Sequence, residues 1–514
     1  MHKKIPVLIC GAGPVGMTAS LALSRLGIDN LVVEKHKATS FHPKARGLNV
    51  RCMELFRSLG VEQAVRHYEL PKEAGRLMWM DKLKGKVVAD APMDCEPSEY
   101  SPCTASMVTQ DYVEKALFDQ LMQETHSEMM MYHKLISVEQ TDETVACVVL
   151  DRESGDEITV ICDYLLAADG ANSFARSALT IPMDGVPNLG DYVSALCRAD
   201  IKEWMAEHPA AVTVFTGEKQ RSRVLLAVDL DQTWIFAQRL PPDHSEFTDD
   251  DAIALARHIA EDGDLDVELI NTSFWEMAAM NARQYRQGRV FLMGDAAHRI
   301  PPTGGMGLNT GVQDGHNLAW KLAYVLQGKC DESILDSYEL ERRGIAQTTI
   351  EWSSNNARRL MVMMRNIEEG NKEAFQELLS AQREQMEHPG LDLGFRYESD
   401  AVAPLQTSVP DFDATYYEPL LASGYRAPHC WVMVDGQRVS TLDLFEKQFC
   451  LLIGRKADEN AWQEAMPIYK GCPVDVYRLG ERIRGEDARF EEIYRLSDSG
   501  VVLVRPDGFV AWVL

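Results

Sequence analysis

The sequence predicts an α/β protein in which one domain of alternating strands and helices is interrupted by a β-rich domain. Two strand-turn-helix segments, over residues 5–26 and 289–326, contain glycine-rich turns, and a run of short β patterns separates them. The chain has 514 residues, which at about 150 residues per domain leaves room for about three domains. We therefore expect one discontinuous α/β domain, a β-sheet domain inserted into it, and a separate C-terminal domain.

The first glycine-rich turn lies between two predicted strands. Residues 5–10 form a short apolar run, residues 17–26 have helical spacing of apolar positions, and residues 31–34 resemble a second buried strand. In a G-x-G-x-x-G turn, the three glycines permit the tight turn, the approach of a pyrophosphate and close helix-strand packing. The turn comprises Gly11, Gly13, Pro14, Val15 and Gly16. This segment predicts a dinucleotide site in which Glu34 accepts hydrogen bonds from a ribose hydroxyl; the alternative is a glycine-rich turn with a surface glutamate.

A second buried strand ends in a polar turn. Residues 164–168 are apolar and lead into Asp169 and Gly170. The same pattern is compatible with a strand followed by a helix cap, because Asn172 and Ser173 are good N-cap residues. Both interpretations stay open from this segment alone.

A third strand, over residues 289–293, leads into Asp295 and then into the glycine-rich loop 301–309. A carboxylate at a strand end suits a hydroxyl-rich chain such as ribityl or ribose. Apolar spacing predicts a helix over residues 311–326, and a glycine-rich backbone entering a helix suits a group that becomes anionic during a reaction.

Short β patterns between these motifs, over residues 212–215, 224–228 and 233–238, predict an antiparallel sheet. Its face is expected to form the wall of a substrate pocket, although a plain core sheet is equally compatible. The candidate wall residues are Phe236, Gln238 and Arg239.

Composition and charge exclude several classes of partner. The chain has 52 Lys and Arg against 78 Asp and Glu, and the net charge of −26 repels polyphosphate backbones and anionic lipid surfaces. We therefore expect no nucleic acid and no membrane partner. The 11 cysteines include no C-x-x-C pair, and the N-terminus lacks a signal-peptide pattern, which together favour a cytoplasmic protein with reduced thiols. No cluster of His, Cys and acidic residues has the spacing of a metal site, so no metal is expected.

The three motifs, in this order and at these separations, resemble the fingerprints of the single-component FAD-dependent aromatic hydroxylases, the group typified by para-hydroxybenzoate hydroxylase. The sequence is most similar to the larger phenol and 2,4-dichlorophenol monooxygenases and to hydroxylases of aromatic polyketides, through residues 42–51, 331–338 and 440–445. The resemblance implies a Rossmann-like FAD-binding domain interleaved with a β-sheet substrate domain, plus a C-terminal thioredoxin-like domain without a redox C-x-x-C. The implied boundaries are 1–180 and 280–390 for the FAD-binding domain, 181–279 for the substrate domain, 391–428 for a linker and 429–514 for the C-terminal domain.

The resemblance also implies roles for individual residues. Gly11, Gly13 and Gly16, with Pro14 and Val15 in the same turn, and Glu34 would hold the AMP half of FAD. The phosphate region would meet Lys44, Arg46 and Gln110, the ribityl side Asp295, the flavin ring Pro302, and its N1–C2 edge the amides of Leu308 and Asn309, which follow Gly305 and Gly307. Asp169 would serve both FAD and NAD(P)H.

The implied reaction is reduction of FAD by NADH or NADPH, addition of O2 to give a C4a-hydroperoxyflavin, and hydroxylation of a phenolic or polycyclic aromatic substrate. The catalytic residues are unknown from the sequence, because no spacing identifies the base that activates the phenol. The alternative is a flavin-binding protein or an oxidase of the same fold that does not hydroxylate. A homodimer stays open.

The cofactor and the nicotinamide are anions, so the excess of acidic residues is expected at the surface. Lys44, Arg46, Arg51 and Arg176, together with two helix N-termini, are expected to form a local positive region.

Overall fold

The described part of the chain contains 25 strands and 13 α-helices. The computed structural model describes residues 2–93, 98–217, 223–241, 247–383, 387–496 and 498–514. The first strands are β1 (His2–Cys10), β2 (Asn30–Glu34), β3 (Arg46–Leu48), β4 (Arg76–Met80), β5 (Val87–Pro92), β6 (Ser106–Thr109), β7 (Ser127–Met131), β8 (His133–Gln140), β9 (Val145–Asp151) and β10 (Glu157–Ala167). The first helices are α1 (Pro14–Arg25), α2 (Val50–Ser58), α3 (Glu62–Arg66), α4 (Gln110–Leu121) and α5 (Phe174–Ala178).

The middle of the chain supplies long strands and then long helices. The strands are β11 (Met183–Ala199), β12 (Val212–Phe215), β13 (Arg223–Ala227), β14 (Thr233–Arg239), β15 (Val267–Ala282), β16 (Arg286–Gln287), β17 (Val290–Leu292) and β18 (His298–Arg299). The helices are α6 (Lys202–Ala206), α7 (Asp249–Ala260), α8 (Met306–Leu326), α9 (Asp336–Glu368), α10 (Lys372–Arg383) and α11 (Pro389–Leu393).

The first sheet has the order β16-β17-β10-β1-β2-β7, with β9 paired to β10 and β8 paired to β9. Strands β2, β1, β10 and β17 run parallel. Val7, Leu8 and Ile9 of β1 are fully buried, as expected of a parallel strand covered on both faces. Helices α1 and α8 pack on one another beside this sheet, so the three predicted motifs meet at the carboxyl ends of its strands.

The second sheet has the order β18-β15-β11-β14-β13-β12-β4-β5 and is antiparallel except for the β12–β4 pair. The implied substrate domain comprised residues 181–279, but here the hairpin of residues 76–92 extends the same sheet. That hairpin lies between elements of the first sheet in sequence, and its pairing with β12 depends on contacts that a local pattern does not encode.

The C-terminal residues form two small sheets. Their elements are β19 (Trp431–Val434), β20 (Gln437–Ser440), β21 (Phe449–Ile453), α12 (Trp462–Ala465), β22 (Val474–Arg478), β23 (Ile483–Gly485), α13 (Ala488–Tyr494), β24 (Val501–Val504) and β25 (Val510–Val513). The sheet orders are β20-β19-β23 and β22-β21-β24-β25. The segment 391–428, expected to be a linker, packs here: Phe395, Tyr397 and Ala401 are buried, and Arg426 bridges to Phe509.

Candidate functional site

The glycine turn after β1 has backbone geometry that requires glycine at two positions. Gly11 has φ +107°, and a Cβ there would lie 2.2 Å from the carbonyl oxygen of Ala168. A Cβ on Gly16 would lie 2.0 Å from the carbonyl oxygen of Gly11. A Cβ on Gly13, in contrast, would meet no protein atom within 4 Å, because Gly13 borders an open cavity. The turn is thus rigid at its two ends and open in the middle.

Pro14 and Val15 begin α1 immediately after this opening. Pro14 occupies the first helical position, where its missing N–H costs nothing, and both residues line the cavity. The methyl groups of Val15 fill the space above Gly294 and Gly311, where added Cβ atoms would lie 2.9 and 2.6 Å away. The N-terminus of α1 therefore presents its amides and positive dipole to the cavity.

Glu34 lies at the end of β2 and holds two loops. Its carboxylate accepts hydrogen bonds from the amides of Ala12, at 2.8 Å, and His36, at 2.9 Å. Glu34 also lines the cavity, so its remaining lone pairs face the same space as Gly13.

Asp169 caps the short helix α5 and keeps one oxygen unused. Its Oδ2 accepts the amides of Phe174, at 2.7 Å, and Ala175, at 3.1 Å. Its Oδ1 is buried without a hydrogen-bond partner among the described residues. The capping alternative from the sequence is therefore realised in part, since Ser173 is the N-cap and bonds the amide of Arg176.

Asp295 lies at the end of β17 and faces the cavity without a hydrogen-bond partner in the described part of the chain. Its side chain is accessible from the cavity, yet the surrounding protein desolvates it. Burial raises the pKa of Asp295, and the positive charges of Lys44 and Arg299 oppose this rise. A partly desolvated carboxylate of this kind is suited to accepting hydroxyl hydrogen bonds.

The loop between β18 and α8 is fixed from behind by α9. A Cβ on Gly304 would lie 2.3 Å from the ring of Trp352, and Thr303 donates a hydrogen bond to the carbonyl oxygen of Ser353 at 2.6 Å. Gly305, with φ +68°, is the N-cap of α8. The helix begins at Met306, five residues before the expected position 311, because the left-handed Gly305 already starts the turn.

The first turn of α8 also anchors the loop after β3. The Asn309 side chain accepts the amide of Asn49 at 3.0 Å and donates to the carbonyl oxygens of Gly47 and Gly305 at 3.1 and 2.8 Å. A Cβ on Gly307 would meet no protein atom within 4 Å. The side chain of Asn309 is thus structural. Pro302, Gly305, Gly307, Leu308 and Asn309 all line the cavity.

Lys44, Arg46 and Gln110 also line the cavity, and they differ in exposure and in hydrogen-bond partners. Lys44 is exposed there. One guanidinium nitrogen of Arg46 donates to the carbonyl oxygens of Ala211 and Ala227 in the second sheet, at 3.1 and 2.6 Å, and burial lowers its pKa to about 10. Gln110 donates to Glu114 at 2.7 Å. The structure therefore places Arg46 between the two sheets.

The expected positive region contains only two of its four members. Arg51 is directed away, to Glu54 at 3.0 Å and to the carbonyl oxygen of Asp507 at 2.7 Å. Arg176 donates to the carbonyl oxygens of Ala296 and Ala171, both at 2.9 Å. Neither Arg51 nor Arg176 is among the residues that line the cavity.

One cavity of about 2720 Å³ joins all three motifs to a face of the second sheet. Ile235 and Ala237 of β14 line it, and so do Gln238 and Arg239. Phe236 was expected on this wall, but it is fully buried in the core on the opposite face of the sheet. Alternate side chains of a strand point to opposite faces, so Ile235, Ala237 and Arg239 face the cavity and Phe236 faces the core. Gln238 lines the cavity near the end of the strand.

Two features of the cavity were missed from the sequence. Tyr192 and Trp275 stack on the wall, with ring centroids 4.5 Å apart, on strands whose pairing no local motif indicates. His388 and Asp392 line the cavity and bond one another at 3.2 Å. They were missed because Asp392 lies within the segment expected to be a linker and His388 comes just before it.

Comparison with known proteins shows the family to which this chain belongs. Residues 4–353 match the family described as FAD binding domain, and residues 421–514 match the aromatic-ring hydroxylase C-terminal domain. This chain belongs to the FAD-dependent aromatic hydroxylases.

Relatives of this hydroxylase cover nearly its whole length. The chain is 34% identical to 4-methyl-5-nitrocatechol 5-monooxygenase of a Burkholderia species, over 99% of this chain and 94% of that protein. It is also 34% identical to tetracenomycin B2 monooxygenase-dioxygenase of Streptomyces olivaceus, over 99% of this chain and 95% of that protein. The crystal structure of the flavin-dependent monooxygenase PieE with FAD and substrate matches with a TM-score of 0.90 at 30% identity, over 99% of this chain and 96% of that one. The predicted fold class and the flavoprotein monooxygenase activity on aromatic substrates are thereby confirmed.

The residues present in this hydroxylase fit FAD. The open sides of Gly13 and Gly307, the unpartnered Oδ1 of Asp169 and the unbonded carboxylate of Asp295 all surround one cavity. Among the described residues, no group of three potential metal-ligating side chains occurs, and no helix has the length and apolar character to cross a membrane.

Proposed function

We propose that this hydroxylase uses NADH or NADPH and O2 to hydroxylate a phenolic or polycyclic aromatic compound. The observation that carries the proposal is the single cavity of about 2720 Å³, which has helix N-termini and glycines at one end and a face of the second sheet at the other. The names of relatives that act on nitrocatechol and on a tetracenomycin support this substrate class.

The residues divide between holding the cofactor and excluding water. Gly13 leaves space for a pyrophosphate at α1, Gly11 and Gly16 permit the turn around it, and Glu34 and Asp295 accept hydroxyl hydrogen bonds. Further cofactor contacts are proposed for Pro14, Val15, Lys44, Arg46, Gln110, Asp169, Pro302, Gly305, Gly307, Leu308 and Asn309. When bound, FAD supplies the electron transfer from the nicotinamide and the activation of O2.

The N-terminus of α8 has an electrostatic role in this proposal. Amides at a helix start carry partial positive charge, so Leu308 and Asn309 favour a negatively charged partner over a neutral one. The apolar side chains of Leu226, Ile235 and Ala237 keep the opposite end dry, which limits loss of peroxide to water.

A substrate screen tests the proposal. The purified FAD-loaded protein is mixed with NADH or NADPH, O2 and a panel that contains 4-nitrocatechol, 2,4-dichlorophenol and tetracyclic aromatic polyketides. We expect at least one aromatic compound to accelerate nicotinamide oxidation and to gain one oxygen atom, which ¹⁸O2 labels. Nicotinamide oxidation that yields only hydrogen peroxide across the panel would favour an oxidase, and no oxidation at all would favour a flavin-binding protein.

The homodimer and the cytoplasmic location stay predictions from the sequence. Sedimentation of the FAD-loaded protein checks the first, with one species of twice the 57.7 kDa chain mass as the expected result.

A further inference from the structure

His388 and Asp392 form a carboxylate-imidazole pair on the wall of the cavity. The Nδ1–H of His388 donates to Oδ1 of Asp392 at 3.2 Å, and both residues line the cavity. The side chains of both are largely buried. A carboxylate bonded to Nδ1 fixes the tautomer and leaves Nε2 with its lone pair, which is the arrangement of a general base.

The pair is connected to α8, whose first turn lines the cavity. Asn49 donates its side-chain amide to Oδ1 of Asp392 at 2.5 Å, and the Asn49 backbone amide donates to Asn309 at 3.0 Å. His388 also meets the ring of Trp352 edge to face, with centroids 5.0 Å apart, and Trp352 packs on Gly304. His388 is therefore fixed relative to the loop 302–305 from two sides.

Three groups surround His388. Asp392 on α11 is the charged group bonded to it, and α9 presents the apolar ring of Trp352. Glu387, which precedes His388 in the chain, is exposed. Burial lowers the pKa of His388 and the Asp392 carboxylate raises it, with a net result above the ordinary value. Another histidine that lines the cavity, His42, differs: burial and Lys44 lower its pKa to about 4, and its described side-chain partner is Asn271 at 3.4 Å.

We propose that His388, oriented by Asp392, accepts the hydroxyl proton of the aromatic substrate. The O–H bond breaks, its electron pair stays on the phenolic oxygen, and the proton passes to Nε2 of His388. The Asp392 carboxylate stabilises the resulting imidazolium, and the phenolate makes the ring more electron-rich for oxygen transfer. This assignment rests on the proposed function and supplies the base that no sequence pattern identified.

The test compares His388→Gln, Asp392→Asn and the cavity control His42→Gln. The probe is the phenol that the wild-type protein hydroxylates in the screen, and kcat/KM is measured from about pH 5 to about pH 9. We expect an acidic limb in the wild type, its disappearance in His388→Gln with a loss of about 100-fold or more in kcat, and a shift of the limb to lower pH in Asp392→Asn. His42→Gln keeps the limb.

Binding of 4-nitrocatechol gives a readout without turnover, because its absorption band moves to longer wavelength on ionisation. In the FAD-loaded wild type, we expect the bound ligand to ionise about one pH unit lower than in His388→Gln, since the imidazolium stabilises the anion. An unchanged acidic limb and kcat within about twofold in His388→Gln would overturn the assignment. A wild type that hydroxylates no member of the panel contradicts the proposed function instead.

An independent observation concerns two cysteines that face each other between the α8–α9 connection and the C-terminal domain. Cys330 lies after α8, Cys472 lies before β22, and their sulfur atoms are 2.9 Å apart. Cys472 also donates to the carbonyl oxygen of Lys329 at 3.2 Å. Cys330 is partly exposed, whereas the other nine described cysteines are buried.

The geometry points to Cys330 and Cys472 as an oxidation site, at which hydrogen peroxide converts the two thiols into a disulfide. One peroxide oxidises two thiols: the O–O and both S–H bonds break, one S–S bond forms, and two waters are released. The sulfurs need to approach to only about 2 Å, and the bond would join the end of α8 to the C-terminal domain. Peroxide is the product that a flavin monooxygenase releases when oxygen transfer fails, so its own side reaction supplies the oxidant.

Peroxide titration of the FAD-loaded protein, alkylation and peptide mass mapping test this site. We expect a linked peptide pair containing Cys330 and Cys472, a higher Tm after oxidation, and the loss of both effects in Cys330→Ser and in Cys472→Ser. Cys147 and Cys162, buried on the neighbouring strands β9 and β10, provide the internal control and stay alkylatable after unfolding. Recovery of Cys330 as a free thiol or as a sulfonic acid, without the linked peptide, would rule the site out.

Discussion

At the scale of single residues, the glycines divide into those that the turn needs and those that the ligand needs. Gly11 and Gly16 would collide with backbone oxygens if they carried a Cβ, whereas Gly13 and Gly307 would not meet any protein atom within 4 Å. A substitution at the first pair therefore acts on the fold. A substitution at the second pair acts on what enters the cavity.

Gly13→Val separates these two effects. We expect the FAD-free protein to keep its Tm, because a Cβ at this position meets no protein atom within 4 Å, while FAD affinity falls by about tenfold or more because the side chain enters the pyrophosphate space. Flavin fluorescence titration measures the affinity. Gly263→Val, at an exposed glycine that is also open, is the control; equal FAD affinity in both variants would contradict the assignment of Gly13.

Asp295→Ala tests the unbonded carboxylate of the third motif. The side chain has no hydrogen-bond partner in the described part of the chain, so we expect little change in the stability of the FAD-free protein and a loss of flavin on purification. The absorbance ratio of flavin to protein measures this loss. Asp264→Ala, on an exposed loop, is the matched control, and an unchanged flavin content in Asp295→Ala argues against the role.

At the scale of elements, a buried ion pair joins α8 to α9. Asp314 accepts Nε of Arg342 at 2.8 Å, the amide of Gly294 at 3.1 Å and His298 at 2.7 Å. Burial raises the pKa of Asp314, but His298 and Arg342 lower it by a larger amount. The net pKa is below the ordinary value, so the carboxylate stays charged. Because Gly294 begins the turn that holds Asp295, this pair positions the third motif on the helix.

Arg342→Met leaves Asp314 without its guanidinium partner. Removing one member of a buried pair costs about 3–5 kcal/mol, and we expect a loss of this size in the free energy of unfolding, measured with urea. Arg198→Met removes the exposed pair with Glu268 and serves as the control, with a loss below about 1 kcal/mol. Similar losses of unfolding free energy in the two variants would show that the buried pair does not stabilise this helix contact more than an exposed pair does.

The elements also show what a sequence pattern encodes. The turns at Gly11 and Gly305 and the carboxylate at Asp295 follow from local backbone geometry, so they could be predicted together with the fold and the cofactor. The prediction of Phe236 as a wall residue was wrong because neighbouring strands set which face of a strand lines the cavity. The prediction of Arg51 in the positive region was wrong because its partner Asp507 lies 456 residues away. His388 was missed because it directly precedes a segment that resembles a linker, while its contact Trp352 and Asn49, which bonds Asp392, come from distant elements.

At the scale of the whole molecule, buried charges join the C-terminal domain to the helices of the flavin domain. Glu341 accepts hydrogen bonds from Lys321 at 2.7 Å and Arg505 at 2.6 Å, and Asp507 pairs with Arg505. The desolvated Lys321 has its pKa lowered to about 8. Arg505 belongs to the turn after β24, so the last residues of the chain complete a polar network inside the protein.

The half-buried His316 and the buried His429 make the folded protein sensitive to acid. Burial and a nearby arginine lower the pKa of His316 and of His429 to about 4 each, whereas an unfolded histidine titrates near 6.5. Between these values the unfolded chain binds protons that the folded chain does not, so the free energy of unfolding falls as pH decreases from about 6.5 to about 4. Urea unfolding at several pH values measures this slope. His429→Gln should make it shallower, and an identical slope would be inconsistent with a neutral buried His429.

The insertion of the second sheet has a consequence for how specificity changes between relatives. Leu165 of β10 pairs directly with Val290 of β17, so the chain leaves the first sheet and returns to it at neighbouring positions. An insert with adjacent ends can be exchanged without disturbing its host. Here, however, the hairpin of residues 76–92 completes the same sheet from outside the insert. A recombinant that takes residues 168–289 from another hydroxylase must therefore also take residues 76–92. The minimum number of crossovers in the gene then rises from two to four.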